Sequence, residues 1–405
     1  MTTRLFPLCA GLLLLLGLAP PASRAQSAAR PPYRNLVMEG GGIRGIAYGG
    51  ALLELEQRGV LRELRRVGGT SAGAIQASLL AVGYSAQEII DVVNATPVQR
   101  LNDGRFIFFG GTHRLITQYG WYRGDELSTY LAELVGRKTQ RPNLTLAELH
   151  QLAQEQPGRY RDLYTTGTNL TQQRVQVFSY ETNPTMRVAD AVRISMSIPL
   201  YFRAVLLDAE GHVVTGDPKP GQPTQVLVDG GLLANYPIGL FDHPRYLSAA
   251  NAPDESATAF PESAKVVTSP LATPEARTAK GVAKPLVTSA APAPRSVASL
   301  AGPGAVYNPE TLGLRLDRAE QIPLDATPAG RQQLAPYDIS DFNSYIGALY
   351  TVALENLNPV QPADQMRTVN IDFLNFSPRI KRISDAQKKQ LMDSGRKGVQ
   401  AFFSR

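Results

Sequence analysis

Cysteine is almost missing: Cys9 is the only one in 405 residues, so no disulfide framework is available. Stability has to come from core size, and a chain of this length can bury a sizeable core. Histidine is scarce as well, with four copies, so each candidate imidazole can be weighed singly. Strong charge of one sign is lacking: 41 Lys+Arg stand against 35 Asp+Glu, a formal +6, with no dense basic run. That excludes a dedicated nucleic-acid binder and leaves room for weak attraction to anionic membranes. Beyond the N-terminal region, no apolar run approaches the roughly 20 residues that span a bilayer.

The N-terminal exception is "MTTRLFPLCAGLLLLLGLAPPASRAQ", with a basic start at Arg4 and an apolar centre around Leu12 to Leu18. Ser23 and Ala25 then stand at the spacing a signal peptidase requires. Residues 1–25 are therefore expected to be a cleavable signal peptide. The mature protein would stay in the periplasm, associate with the outer membrane or be secreted. Cys9 precedes the apolar centre among bulky neighbours, which argues against a lipoprotein cysteine, and cleavage removes it. A retained anchor is the alternative, for which the apolar run is short.

From Tyr33 to Tyr84 the pattern reads strand, glycine turn, helix, strand, glycine turn, helix. "NLVME" is a buried strand, "GIAYGGALLELEQRG" a helix ended by Gly59, and "SAGAIQASLLAVG" a small-residue helix. Strands separated by helices predict an α/β fold with a central, mostly parallel sheet flanked by helices. "RDLYTTGTNL", "RVQVFSY", "YFRAVLLD" and "QVLVDGG" add strands, "GDELSTYLAELVG" and "VADAVRISM" helices, and Pro199 a stop. "FIFFGG", residues 106–111, reads as an aromatic break. Residues 248–304 are rich in Ala, Pro, Ser and Thr and are expected to be a disordered insertion. It divides a catalytic core at 33–247 from a C-terminal part of the same domain at 305–405. That part offers a helix in "DFNSYIGALYTVALENL", a strand in "MRTVNIDF" and a terminal helix with a capping box from Ser384 to Gln387.

Three glycine-bearing turns carry the chemistry. Gly40, Gly42 and Gly45 satisfy G-x-G-x-x-G after a strand and before a helix. A Rossmann-like nucleotide site would also need an acidic residue closing the second strand. Glu63 lies before that strand instead, and "GTSAG", Gly69 to Gly73, follows it. This G-x-S-x-G places Ser71 on a tight strand-to-helix turn, where its neighbours two residues away must be small. Ser71 would also meet a helix N-terminus that favours developing negative charge. Attack on an ester creates an oxyanion, and the successive amides of Gly40, Gly41 and Gly42 can converge on it.

A serine hydroxyl needs a proton acceptor. His113, His150 and His212 lie in polar or turn-like surroundings, while His243 in "GLFDHPRY" offers a Ser-Asp-His order. The better candidate is Asp229, where an apolar strand runs into Asp229-Gly230-Gly231. The glycines leave room for a close neighbour, so the carboxylate can act as base without histidine. The plain alternative is a turn-capping aspartate.

"EGGGIRG", "GTSAG" and "DGG", in this order, resemble the three signatures of the patatin-like phospholipases, relatives of the cytosolic phospholipase A2 catalytic domain. "DAVRISMSIPLYFRAV" resembles that family's helix-and-proline segment, and the likeness covers Asn35 to about Leu240 well. It implies a Ser-Asp dyad that hydrolyses lipid acyl esters with no cofactor and no metal. Ser71 is then the nucleophile, Asp229 the base, and the Gly40–Gly42 loop the oxyanion hole. Arg44 matches the basic position of the family loop, where it attracts a lipid phosphate or steadies the loop; both readings stand. Glu39 replaces the aspartate many members carry. The expected partner is a lipid or phospholipid. A carboxylesterase of soluble or short-chain esters and a nucleotide-binding protein are the rivals. Phe106, Ile107, Phe108, Phe109 and Trp121 either meet a membrane surface or belong to the core.

Overall fold

The computed structural model describes residues 33–96, 101–104, 109–216, 222–249, 304–327, 333–341, 361–377 and 382–405, with isolated positions at 251, 300 and between 344 and 352. The expected signal peptide, Phe106 to Phe108, most of the insertion and most of the helix expected in "DFNSYIGALYTVALENL" lie outside the described residues.

The chain starts with β1 (Asn35–Met38), a 3-10 turn at Gly42–Ile46 and α1 (Ala47–Gln57), and Gly59 stops α1 at φ 76°. A short α2 (Val60–Glu63) leads to β2 (Arg66–Gly69), α3 (Ala72–Ala81) and α4 (Ala86–Ala95). Next come α5 (Phe109–Gln118), β3 (Gly120–Tyr122), α6 (Asp125–Thr139) and α7 (Leu146–Glu155). They are followed by β4 (Asp162–Asn169), β5 (Arg174–Phe178), α8 (Val188–Ser195), β6 (Leu200–Phe202) and β7 (Val205–Leu207). Then β8 (Gln225–Asp229), α9 (Gly231–Ala234), β9 (Thr311–Asp317), α10 (Gln321–Asp325) and β10 (Thr368–Asp372) precede a C-terminal helix, Asp385–Phe403. Among the described residues no helix is long and apolar enough to cross a membrane.

The main sheet has the order β10-β9-β1-β2-β4-β8-β7, with β5 against β4. The strands from β10 to β4 run parallel, whereas β5, β8 and β7 pair antiparallel with their neighbours. All four residues of β1 and all seven of β9 are buried, as helical cover on both faces requires. Buried Arg315 in β9 is paid in charge by Glu39, Asp317 and Asp325, at 3.9, 3.3 and 3.7 Å.

Register sets the height of the site. Gly69 of β2 pairs with Thr165 of β4, and Asp229 of β8 pairs with Gly167, two residues further along. Ser71 is two residues beyond Gly69. Ser71 and Asp229 therefore reach the same rim although their strands point in opposite directions.

Two local expectations change. "YFRAVLLD" is divided between sheets: β6 pairs with β3 alone, and β7 joins the main sheet. The break falls at Arg203, whose carbonyl is turned onto the guanidinium of buried Arg193 at 3.1 Å. Phe109 opens α5 rather than closing a break. Trp121 is half-buried on β3, packed so closely over Gly111 that a Cβ there would lie 2.7 Å from the indole. The C-terminal helix has its capping box at Ser384 and Gln387, and Leu391, Gly395, Val399 and Phe402 are buried. It crosses α1 at backbone contact, with Gly50 against the Met392 carbonyl and Gly395 against that of Ala47.

Candidate active site

The turn after β2 carries Ser71 at φ 52° and ψ −119°, a strained conformation for a residue with a Cβ. Its neighbours explain how the strain is held. A Cβ on Gly69 would lie 2.6 Å from the carbonyl carbon of Gly73 and 2.8 Å from the Met38 oxygen. A Cβ on Gly73 would strike the Met38 and Glu39 carbonyls. The two glycines thus touch across the turn and against the end of β1, which is the crowding expected of a nucleophile elbow.

The glycine loop sits over the same point. A Cβ on Gly40 would come within 3.3 Å of the Ser71 Cβ, and one on Gly41 would collide with Leu316 of β9. Gly42 adopts φ 56°, which suits glycine. A Cβ on Gly45 would lie 2.8 Å from the Ala72 Cβ, so the loop and α3 meet closely. The Gly40 N–H donates to the Asn235 carbonyl at 3.0 Å, and Asn235 Nδ2 donates to the Gly40 carbonyl and to Glu39 Oε1. Glu39 Oε2 accepts from the Leu316 amide at 2.7 Å. Glu39 is therefore a buried strut under the loop, and its extra methylene relative to aspartate reaches β9.

Arg44 is bound in place. Its Nε donates to the Phe376 carbonyl at 2.7 Å and its guanidinium lies 3.8 Å over the Phe373 ring. These contacts favour the loop-steadying reading over phosphate attraction.

Asp229 ends β8 beside Ser71. The Gly231 N–H donates to Asp229 Oδ1 at 2.7 Å, and Gly230 lies against Thr166 of β4 with no room for a side chain. Asp229 Oδ2 is buried and has no hydrogen-bond partner, a rare condition for a buried carboxylate oxygen. Burial pushes the Asp229 carboxyl up to about 7, against the lowering effects of the Gly231 amide and the nearby Ser71 hydroxyl. In this rotamer Ser71 Oγ leans on Met196 Sδ at 3.5 Å. The Ser71 hydroxyl also lies near enough to the Asp229 carboxyl to favour its ionised form.

The histidines sit elsewhere. His243 Nδ1 accepts from the Arg245 amide at 3.2 Å, and its ring approaches Tyr246. Arg66, the first residue of β2, stacks over that same Tyr246, so His243 is at the amino end of the strands. His150 is not a free surface residue: it pairs with buried Asp162 at 2.7 Å and stacks on Tyr180. His113 bonds Thr117 on α5, and His212 pairs with Asp208.

Three residues at the end of α8 went unremarked in the sequence. Ser195 Oγ accepts the Ser71 N–H at 2.9 Å, Met196 meets the Ser71 hydroxyl, and the Ser197 carbonyl accepts the Asp229 N–H at 2.9 Å. One short segment thus grips both Ser71 and Asp229. Buried Arg193 anchors it, donating to Ser197 Oγ and to the carbonyls of Gly124, Arg123 and Arg203. The signal available was a pair of serines, Ser195 and Ser197, flanking Met196 inside an apolar context. Ser195→Ala leaves the buried Ser71 amide without an acceptor, costing about 1–3 kcal/mol of stability. It should lower kcat roughly ten- to a hundredfold with KM little changed, and Ser195→Thr should restore part of it. Steady-state kinetics of the three proteins check this.

A cavity of about 830 Å³ opens beside Ser71. Gly42, Ala72, Met196, Ile75, Phe202 and Ile383 are among the residues that line it. Its size is that of a small-molecule site, and its lining is mostly apolar.

Comparison with known proteins identifies the family of the chain. The family model described as patatin-like phospholipase matches residues 36–242. YqhO of Bacillus subtilis, an uncharacterized protein, is 34% identical over 220 residues, 53% of this chain and 68% of that protein. An uncharacterized protein of Acanthamoeba polyphaga mimivirus is 30% identical over 211 residues, covering 52% of this chain and 61% of its own length. A probable lipid hydrolase of Invertebrate iridescent virus 6 is 24% identical over 209 residues, 51% of this chain and 63% of that protein. Among solved structures, VipD from Legionella pneumophila superposes loosely, with a TM-score of 0.49 and 16% identity over 92% of this chain and 67% of VipD. With the family model spanning half the sequence, the chain belongs to the patatin-like phospholipases, hydrolases that act on the ester bonds of lipids.

Proposed function

We propose that the chain is an exported lipid acyl hydrolase in which Ser71 and Asp229 work as a dyad. The observation that carries this reading is the free, buried Oδ2 of Asp229 beside the Ser71 hydroxyl, with Oδ1 already held by Gly231. Ser71 Oγ attacks the ester carbonyl carbon while its proton passes to Asp229 Oδ2. The tetrahedral oxyanion is held by the amides of Gly41 and Gly42, because the Gly40 amide is already committed to Asn235. Collapse breaks the bond to the alcohol, which takes the proton back from Asp229 and leaves an acyl-serine. Asp229 then deprotonates a water, and its attack on the acyl carbon frees the fatty acid and restores Ser71. The apolar cavity supports an acyl chain as the group bound next to the carbonyl. Export is read from the signal-like residues 1–25.

The place of His243 at the opposite strand ends favours the dyad over a triad. His243→Ala should keep at least about half of wild-type ester hydrolysis, an effect of less than about 0.5 kcal/mol. Assaying it on diacyl phospholipid vesicles and on short nitrophenyl esters also separates a phospholipase from a carboxylesterase. A folded but inactive His243→Ala protein would contradict the dyad.

A further inference from the structure

Two non-glycine residues near the site hold left-handed backbone: Tyr119 at φ 61° and Leu200 at φ 67°. Bulky residues avoid this region because the Cβ crowds the neighbouring carbonyl. The two are neighbours, since Leu200 pairs across β3 and β6 with Gly120, the residue after Tyr119. Neither side chain is used inside the protein: Leu200 is 68% exposed and Tyr119 54%. Ile116, three residues earlier near the end of α5, is 72% exposed. Glycine would relieve the backbone at both strained positions, yet large apolar groups stand there facing solvent. Such strain persists where function requires it.

The surroundings say what they face. From Leu200, β6 runs inward through Tyr201, whose ring is tilted against that of Tyr122, to buried Phe202, which lines the cavity together with Met196. The exposed trio is thus the outer end of an apolar path leading to Ser71. Arg123 flanks it and is exposed, and Arg203 neutralises Asp125 at 3.0 Å. Of the nearby acids Glu126 is exposed, while the Asp103 carboxylate is taken up by the amides of Gly124, Asp125 and Glu126 at the start of α6. The whole chain is formally +6, which favours a negative surface.

We propose that Ile116, Tyr119 and Leu200 dock the protein on an anionic lipid surface, so that substrate passes from the bilayer into the cavity along β6. The inference rests on the reading of Ser71 as the nucleophile of a lipid hydrolase. Membrane contact is thus assigned to Ile116, Tyr119 and Leu200 rather than to the half-buried Trp121.

The test is cosedimentation of the full-length Ser71→Ala protein with vesicles of phosphatidylcholine and phosphatidylglycerol, compared with Tyr119→Gly/Leu200→Gly and Ile116→Ser introduced into it. Partitioning should fall about tenfold or more in the double variant and several-fold in Ile116→Ser, and wild-type binding should weaken on pure phosphatidylcholine. The melting temperature of the double variant should hold or rise, because glycine relieves both φ angles. Undiminished binding, or a fall in melting temperature that marks the side chains as packing groups, overturns the proposal. So does sedimentation equilibrium showing a wild-type dimer that the double variant loses, since a second copy would then cover the patch. In the Ser71 background, short nitrophenyl esters should be cleaved at the wild-type rate by both surface variants. Absence of that cleavage in the wild-type protein would instead count against the active-site reading.

Discussion

Ser71→Ala abolishes lipid-ester hydrolysis, with an expected loss of about 10⁴- to 10⁶-fold in kcat, the scale on which serine hydrolases lose their nucleophile. The structure adds reasons for expecting the upper part of this range. Ser71 is nearly buried, its amide is fixed by Ser195, and the glycine loop is packed against its Cβ. Among the described residues no other hydroxyl is presented to the same point by a strained turn. Alanine has the same Cβ, so the contacts of the elbow survive and the variant should fold. A fluorophosphonate probe should label the wild-type protein once, at Ser71, and leave the alanine variant unlabelled. Labelling elsewhere, or residual turnover within tenfold of wild type, would remove Ser71 from its assigned role.

Asp229→Asn has the second largest effect and separates activity from stability. The amide cannot accept the serine proton, so hydrolysis should drop by about 10³-fold or more. The sign for stability is opposite. Burial raises the folded carboxyl from its ordinary 3.8 to about 7. Asp229 therefore favours the folded state fully below its unfolded value, and this contribution is lost as pH rises through the folded value. At pH 8 the native protein bears the cost of a buried charge that asparagine lacks. Asp229→Asn should then be more stable by about 1 kcal/mol or more, and the gain should vanish near pH 4. For the wild-type enzyme the base must be ionised, so kcat/KM should rise with pH through about 7 and level off. Denaturant melts at pH 4 and 8 beside a pH–rate profile measure both. A variant destabilised at pH 8, or a rate that is flat from pH 5 to 9, would require another base.

How much was legible in the sequence depended on whether a feature is written in backbone necessity. The two glycine turns are visible because close approach leaves no freedom: Gly69 and Gly73 stand where any Cβ strikes another main chain, and Gly40 where it would strike Asn235 Oδ1. "DGG" is visible for the same reason at Gly230. The direction of β8 was not, since an apolar run ending in aspartate reads alike in parallel and antiparallel strands. Ser195, Ser197 and Asn235 were missed because they act on the site through hydrogen bonds to main-chain groups distant in sequence, which leaves no periodicity or charge pattern. The helices α4 and α7 did carry a readable start, Ser85 with Glu88 and Thr145 with Glu148, although neither was marked. Arg44 could not be decided from spacing, because its partners Phe373 and Phe376 lie more than three hundred residues away.

The contact of Gly69 and Gly73 with the last carbonyls of β1 has an evolutionary corollary. The hinge that carries the hydroxyl and the strand that feeds the amide cradle form one solid piece, with no soft joint where mutation can retune one against the other. Diversification of substrate range is thereby channelled to the outlying walls, the end of α4 and the first turn of the C-terminal helix. Substitutions on those surfaces can retune specificity while the turn that carries Ser71 is left intact.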